Sequence, residues 1–253
     1  MKHLITLVCL CVLLAGCTTT AAPAKPEEIK RISRIGIASI VGDRIEYMRI
    51  GITAFTNSTT SGDTSGWGID EFVLGELETQ LPSSYNTVRV NMDRSAYEAS
   101  TAKTVHIQEN IREAITPGNE DVDAYLVLVP TYSHDFISGS YNRMHGLGIF
   151  RRQGYGIRVY AICDLILLDA QSFELLGGAQ LAFDGNKPDL RDVVTGRNLR
   201  SVVLAERRTV TSLSAAANWD EFTPEQHEQI RTSITSLLRD ALDYPIRAIG
   251  LHK

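Results

Sequence analysis

Apolar residues recur along this chain with strand period, with helix period and, in places, with neither. Residues 34–41 (RIGIASIV) are small and apolar on both faces, the pattern of a buried strand. Gly42-Asp43 is a turn signal, and Arg44 to Phe55 reads as the returning strand of a hairpin. Thr56 to Gly68 is rich in Thr, Ser, Gly and Asn and predicts a loop. From Ile69 to Leu81 the period becomes helical: Ile69, Phe72, Val73, Leu77 and Leu81 fall on one stripe. Asp70 and Glu71 suit its first turn, where the helix dipole favours acids, and Pro82 ends it.

Tyr85 to Val90 predicts a short strand. Residues 95–116 are helical in part, with Ile107, Ile111, Ala114 and Ile115 at helix spacing before Thr116-Pro117-Gly118 stops them. Ala124 to Val129 (AYLVLV) is apolar on both faces and predicts a central strand. Gly156 to Leu168 is the longest strand candidate. A turn at Asp169 to Ser172 returns it into Phe173 to Phe183, with Gly177-Gly178 as a candidate bulge. Residues 185–222 predict irregular structure containing a helix. The last element is the clearest: Thr223-Pro224-Glu225-Gln226 is a capping box with Pro at the first helical position. Ile230, Ile234, Leu237, Leu238, Ala241 and Leu242 then lie at offsets 0, 4, 7, 8, 11 and 12, and Pro245 is expected to end the helix. The whole predicts a single α/β (or α+β) domain over residues 31–253, a mixed sheet with helices packed on it.

The first residues change the picture from fold to address. Lys2 and His3 precede an apolar run, Leu4 to Leu14, which is too short for a membrane span of roughly 20 residues. The run ends in Leu14-Ala15-Gly16-Cys17, which resembles the lipobox of bacterial lipoproteins. That resemblance implies a signal peptide at 1–16, a Cys17 carrying a diacylglyceryl thioether and an N-acyl chain, and permanent membrane anchoring. Thr18 follows in the position where, in that class, Asp retains the protein at the inner membrane; Thr implies the outer membrane, facing the periplasm. Residues 17–30 then form a lipidated, flexible tether with no apolar period. Its thirteen residues after Cys17 reach at most roughly 40 Å.

Composition narrows the function. The net charge is −5; removing residues 1–16 takes away Lys2 and leaves 24 basic against 30 acidic residues. An acidic chain lacks the field of a general nucleic-acid binder. Of four cysteines only Cys163 remains unmodified after processing, so no intramolecular disulfide forms even in the periplasm. The phosphate-loop, dinucleotide, nucleophile-elbow and zinc-protease motifs are all missing, and no cofactor or metal is indicated. Gly146-Leu147-Gly148 lacks a third glycine. Ser133-His134-Asp135 spells triad letters, but triads are made by geometry and not by adjacency. Glu120, Asp121 and Asp123 lack calcium-loop spacing, and Cys163 sits among apolar neighbours.

One stretch stands out. Phe136 to Cys163 contains no acid in an otherwise acidic protein; it holds Arg143, His145, Arg151, Arg152 and Arg158 with Phe136, Tyr141, Phe150, Tyr155 and Tyr160. About 25 residues separate the two strands on either side, the length of a functional loop. Arginines with aromatics are the composition of interface hot spots, and guanidinium forks suit phosphate or carboxylate. Arg143, His145, Phe150, Arg151, Arg152 and Tyr155 are therefore the candidate contacts, with Arg151 and Arg152 as anchors. Trp67, between two glycines, is a further candidate, although burial against the helix that follows it is the stronger expectation.

The segments 35–37, 41–43, 51–55, 67–70, 123–128 and 146–149 resemble a group of proteobacterial proteins without an assigned activity, which implies a shared domain. More loosely, the order of elements is similar to periplasmic lipoproteins of the curli-secretion and penicillin-binding-protein-activator kind, which bind or assemble at the outer membrane without being enzymes. This chain departs from them by a second strand before its first helix. These readings together predict a lipid-anchored binding or adaptor protein that contacts an envelope protein or an anionic envelope component. The alternatives are a cell-envelope hydrolase and a self-assembling structural lipoprotein.

Overall fold

The computed structural model describes residues 26–51, 56–103, 106–115, 121–134, 143–152, 156–181, 202–203 and 216–251. A single helical turn, α1 (Pro26–Ile29), precedes the sheet, and its Ile29 is buried in the core, so the domain begins inside the segment expected as tether (17–30) and not at residue 31. Its strands are β1 (Arg34–Ser39), β2 (Arg44–Ile50), β3 (Ser58–Asp63), β4 (Asn86–Arg89), β5 (Ala124–Pro130), β6 (Tyr132–His134), β7 (Arg143–Arg152), β8 (Gly156–Asp169), β9 (Leu175–Leu181) and β10 (Val202–Val203). The main helices are α2 (Ile69–Gln80), α3 (Arg94–Thr101), α4 (Ile107–Ala114) and α5 (Pro224–Ile249).

The strands form one mixed sheet in the order β3-β2-β7-β8-β5-β1-β4, with β9 on β8, β10 on β9 and β6 on β7. β8 is the spine. Its residues 156–162 pair with β7 and its residues 163–169 pair with β5, both antiparallel. β1 and β5 are buried along nearly their whole length, as strands apolar on both faces must be. One face carries α2 and α5, whose Val73, Leu77, Ile234, Leu237 and Leu238 pack with Ile35, Ile37, Leu126 and Leu165 in the larger core. The other face carries α3 and α4, whose Tyr97, Ile111 and Ala114 pack with Val127, Val129 and Ile166. The chain is thus a single α/β domain with helices on both sides of the sheet.

Four local expectations are corrected. β1 and β2 do not form a hairpin. β1 is parallel to β5, β5 and β7 are each antiparallel to β8, and β2 is parallel to β7, so β2 continues in the direction of β1. The Gly42-Asp43 turn steps the chain sideways, and Asp70 holds that step: its Oδ1 accepts from Ser39 Oγ (2.6 Å), Val41 N (2.8 Å) and Gly42 N (3.1 Å). The antiparallel partner of β2 is β3, which lies inside the expected loop 56–68. The expected long loop before β8 contains β6 and the ten-residue β7, whose centre is fully buried. Finally, α5 runs through Pro245 to Ile249 and ends at Gly250, φ 95°. Proline forfeits one helix hydrogen bond, but Pro245, Ile246 and Ile249 are buried, and their burial holds the last turn in place.

The glycines explain the misread strands. A Cβ on Gly148 would stand 2.0 Å from Tyr160 Cζ, and one on Gly62 would stand 2.0 Å from the Trp219 indole. These glycines admit large rings from elsewhere in the chain; they do not mark loops. The bulge between β8 and β9 falls at Leu176, beside the expected pair Gly177-Gly178: Leu167 opposes Gly177 and Leu168 opposes Leu175. Of the stretch 185–222, the described parts are β10 and residues 216–222, which include a short 3₁₀ turn at Trp219–Glu221.

Candidate functional site

The site is assembled where β2, β6 and β7 meet. Tyr132 pairs with His145 and His134 with Arg143 across the β6–β7 ribbon. Gly146, at φ 56°, is the corner at which β7 leaves β6 and joins β8; its N–H donates to the Thr131 carbonyl at 3.1 Å. A left-handed residue is needed there, and glycine supplies it without strain. The corner brings three groups into contact. The Arg143 guanidinium lies 4.2 Å from the centroid of the Tyr132 ring, and the Tyr132 ring lies 4.2 Å from that of His145. Tyr132 remains 50% exposed, unlike the other large apolar side chains of the described residues.

Charges from distant parts of the chain act on His145. His145 is half-buried, and its imidazole is held down to about 4, first by burial and then by the positive charges of Arg44, Arg94 and Arg143. Arg94, at the start of α3, is anchored by Asp43 at 2.8 Å and by the Ile40 carbonyl, with Glu98 at 3.9 Å. Glu46, on β2, is pushed up by burial, against the opposing pulls of Arg44, the His145 N–H and the Tyr160 hydroxyl. That hydroxyl lies 3.4 Å from Glu46 Oε2. The fully buried Tyr160 ring reaches this position by crossing Gly148. Gly148→Ala is therefore expected to displace Tyr160 and cost about 2–3 kcal/mol. Urea unfolding of Gly148→Ala beside Gly148→Ala/Tyr160→Ala checks it: the single variant should be the less stable of the two relative to its own Gly148 parent.

The remaining candidate contacts sit elsewhere. Phe150 is fully buried and offers no surface. Arg151 is half-buried at the far end of β7, opposite Arg49, and its Nη1 donates to the Ala216 carbonyl at 3.0 Å. Tyr47 donates to the same carbonyl at 2.8 Å. Arg151 thus ties the C-terminal segment to the sheet. Arg152 is half-buried opposite Ile50 and Gly156. Trp67 is half-buried against the larger core, which includes Ile69 and Val73 of α2, and meets Trp219 (5.8 Å between centroids) and His227 of α5 (6.0 Å). Tyr155 and Cys17 lie outside the described residues.

The minor candidates have structural explanations. The Cys163 thiol is fully buried and pushed up by burial, which leaves it unreactive. Asp123 Oδ2 accepts from Ser33 N and Ser33 Oγ, both at 2.8 Å, and from Arg34 N at 2.9 Å, and these bonds hold its carboxyl below the usual range. It is a clasp at the start of β1. Ser133 and His134 are consecutive in β6, and Asp135 lies outside the described residues. Among the described residues no His, Cys, Asp or Glu side chains gather as a metal site, and no helix is long and apolar enough to cross a membrane.

Sequence reasoning found Arg143 and His145 because the window around them has no acid. It missed Arg44, Glu46, Arg94 and Tyr132, which reach the site only through strand register and the docking of α3, and it counted Tyr160 among the aromatics of that window without making it a contact. A comparison with protein-family models, curated proteins and solved structures matches none of them to this chain.

Proposed function

We propose that this chain is a lipid-anchored binding or adaptor protein on the periplasmic face of the outer membrane, that it does no covalent chemistry, and that it makes its contact through Tyr132, Arg143 and His145. The lipobox-like Leu14-Ala15-Gly16-Cys17 and the Thr- and Ala-rich residues 18–25 between it and the first helical turn support the anchoring. The observation that carries the binding reading is the half-exposed Tyr132 ring with Arg143 and His145 against it, an aromatic and a guanidinium offered together at the surface. Aromatic and arginine side chains of this kind dominate interface energies.

The test is photo-crosslinking of the full-length, acylated protein in cells, with a benzophenone side chain in place of Tyr132 so that an aromatic ring is retained. Capture of one envelope protein or envelope component, identified by mass spectrometry and lost in Arg143→Ala, is the expected outcome. Capture only of further copies of this chain would replace this reading with a self-assembling lipoprotein, and no capture would overturn it. Arg143→Ala is expected to weaken binding about tenfold or more, roughly 1.4 kcal/mol. As an exposed residue it should shift folding stability by less than about 0.5 kcal/mol.

A further inference from the structure

The sheet ends laterally in β3 on one side and β4 on the other, and the two edges are built differently. β4 is four residues long, and its Arg89 is held by Glu71 at 2.6 Å and by Glu78 at 2.8 Å, so charge guards that edge. The branch strands β6 and β10 are only three and two residues long. β3 has none of these guards. Its six residues, Ser-Thr-Thr-Ser-Gly-Asp, include no Lys, Arg or Pro, and their register with β2 runs unbroken from Ser58 opposite Arg49 to Asp63 opposite Arg44. Among the described residues β3 pairs with β2 alone, so the outer row of its N–H and C=O groups has no strand against it. Ser58, Thr59, Ser61 and Asp63 are exposed, and none of the side chains of β3 is bulky enough to keep a further strand away.

We propose that β3 is a self-association edge, on which the β3 of a second copy of this chain adds antiparallel and joins the two sheets. The occupant follows from the side chains. A foreign strand added to an edge is selected by pockets for its alternate side chains. β3 offers no such pocket: its exposed side chains are Ser, Thr and Asp, and the space above Gly62 is filled by the Trp219 indole. β3 is instead complementary to itself. Paired antiparallel about Thr60, it sets Thr59 against Ser61 across the two-fold axis, and hydroxyl pairs of this kind suit neighbouring strands. Each Asp63 then falls beside the uncharged Asn57 of the other strand, whereas parallel pairing would set Asp63 against Asp63. The two-fold contact closes at two copies, because each β3 has one outer side. Six residues make a weak contact by themselves. Resting in this on the anchoring proposed above, copies confined to one membrane surface meet at a raised effective concentration, which sustains the pair.

The test is photo-crosslinking of the full-length protein in cells, with a benzophenone side chain at Ser58, which is exposed at the start of β3. The expected product is two copies joined, with the captured residues mapped by mass spectrometry to 57–63. Thr59→Lys/Ser61→Lys sets Lys against Lys across the axis, and the yield should fall about tenfold or more. Both positions are exposed, so the thermal midpoint of that variant should match the parent. Co-expression with Thr59→Glu/Ser61→Glu should restore the product as a mixed pair, which a folding defect would not allow. A crosslink elsewhere in the second copy, a ladder beyond two copies, capture of a different protein, or a yield that the lysines leave unmoved overturns the edge contact. So does the absence of product while the protein stays in the membrane fraction. Recovery of the protein in the soluble fraction would instead remove the anchor, and the same crosslink on purified protein at high concentration then decides the edge. A probe at Ser58 reports on β3 and not on Tyr132, so the self-contact and the partner reading fail separately.

Discussion

Trp219→Ala is expected to cost about 3–5 kcal/mol of folding stability, the range for removing a large buried aromatic. Trp219 is 6% exposed although it belongs to a short turn between β10 and α5. Its indole fills the space above Gly62, stacks on His227 with centroids 4.5 Å apart, and meets Trp67 at 5.8 Å and Phe222 at 5.9 Å. Its backbone N–H donates to Thr60 Oγ1 at 3.3 Å. One residue thus joins the edge strand β3, the turn before α2 and the first turns of α5. Its loss also loosens Ala216, whose carbonyl receives both Tyr47 and Arg151. Denaturant unfolding measures the effect. Gly62→Val should reproduce most of the loss, because it expels the ring without deleting it. A loss below about 1 kcal/mol in Trp219→Ala would show that the cluster is not a keystone of this end of the sheet.

The same ring shows what a linear reading can and cannot reach. β1, β5, α2 and α5 follow from local period, because each buries its own stripe or both its faces. β3 and β7 do not, because their glycines answer to Trp219 and Tyr160, residues 157 and 12 positions away, and a small residue that admits a distant ring looks like a turn residue. The direction of β2 was illegible for a related reason. A Gly-Asp turn reports that the chain bends, while the pairing partner is decided by β7, about a hundred residues later. Pro245 obeys burial over backbone preference. The candidate site divides in the same way. Arg143 and His145 are visible in composition. Arg44, Glu46 and Arg94 matter only because β2 and α3 deliver them to His145.

His145 should make a measurable part of the protein's acid sensitivity. In the unfolded chain its imidazole takes up a proton near 6.5; in the folded protein burial and the charges of Arg44, Arg94 and Arg143 delay that to about 4. Between those values the unfolded state binds the proton and the folded state does not, so folding stability falls as pH falls. The contribution is fully present above 6.5, and by pH 4.5 the loss is about 2–3 kcal/mol. Glu46 acts in the opposite sense. Its carboxyl is raised by burial, so the folded protein takes up that proton first and gains stability as pH falls through the raised value. The two groups partly offset one another in the intact protein, which is why a variant is needed to separate them. In His145→Gln the side chain stays neutral at every pH while Glu46 keeps its buried surroundings. Urea unfolding at pH 7 and pH 4.5 should then show the acid loss reduced by about 2–3 kcal/mol relative to the parent. Equal losses in both proteins would mean that His145 titrates at its ordinary value and that the three arginines do not act on it together.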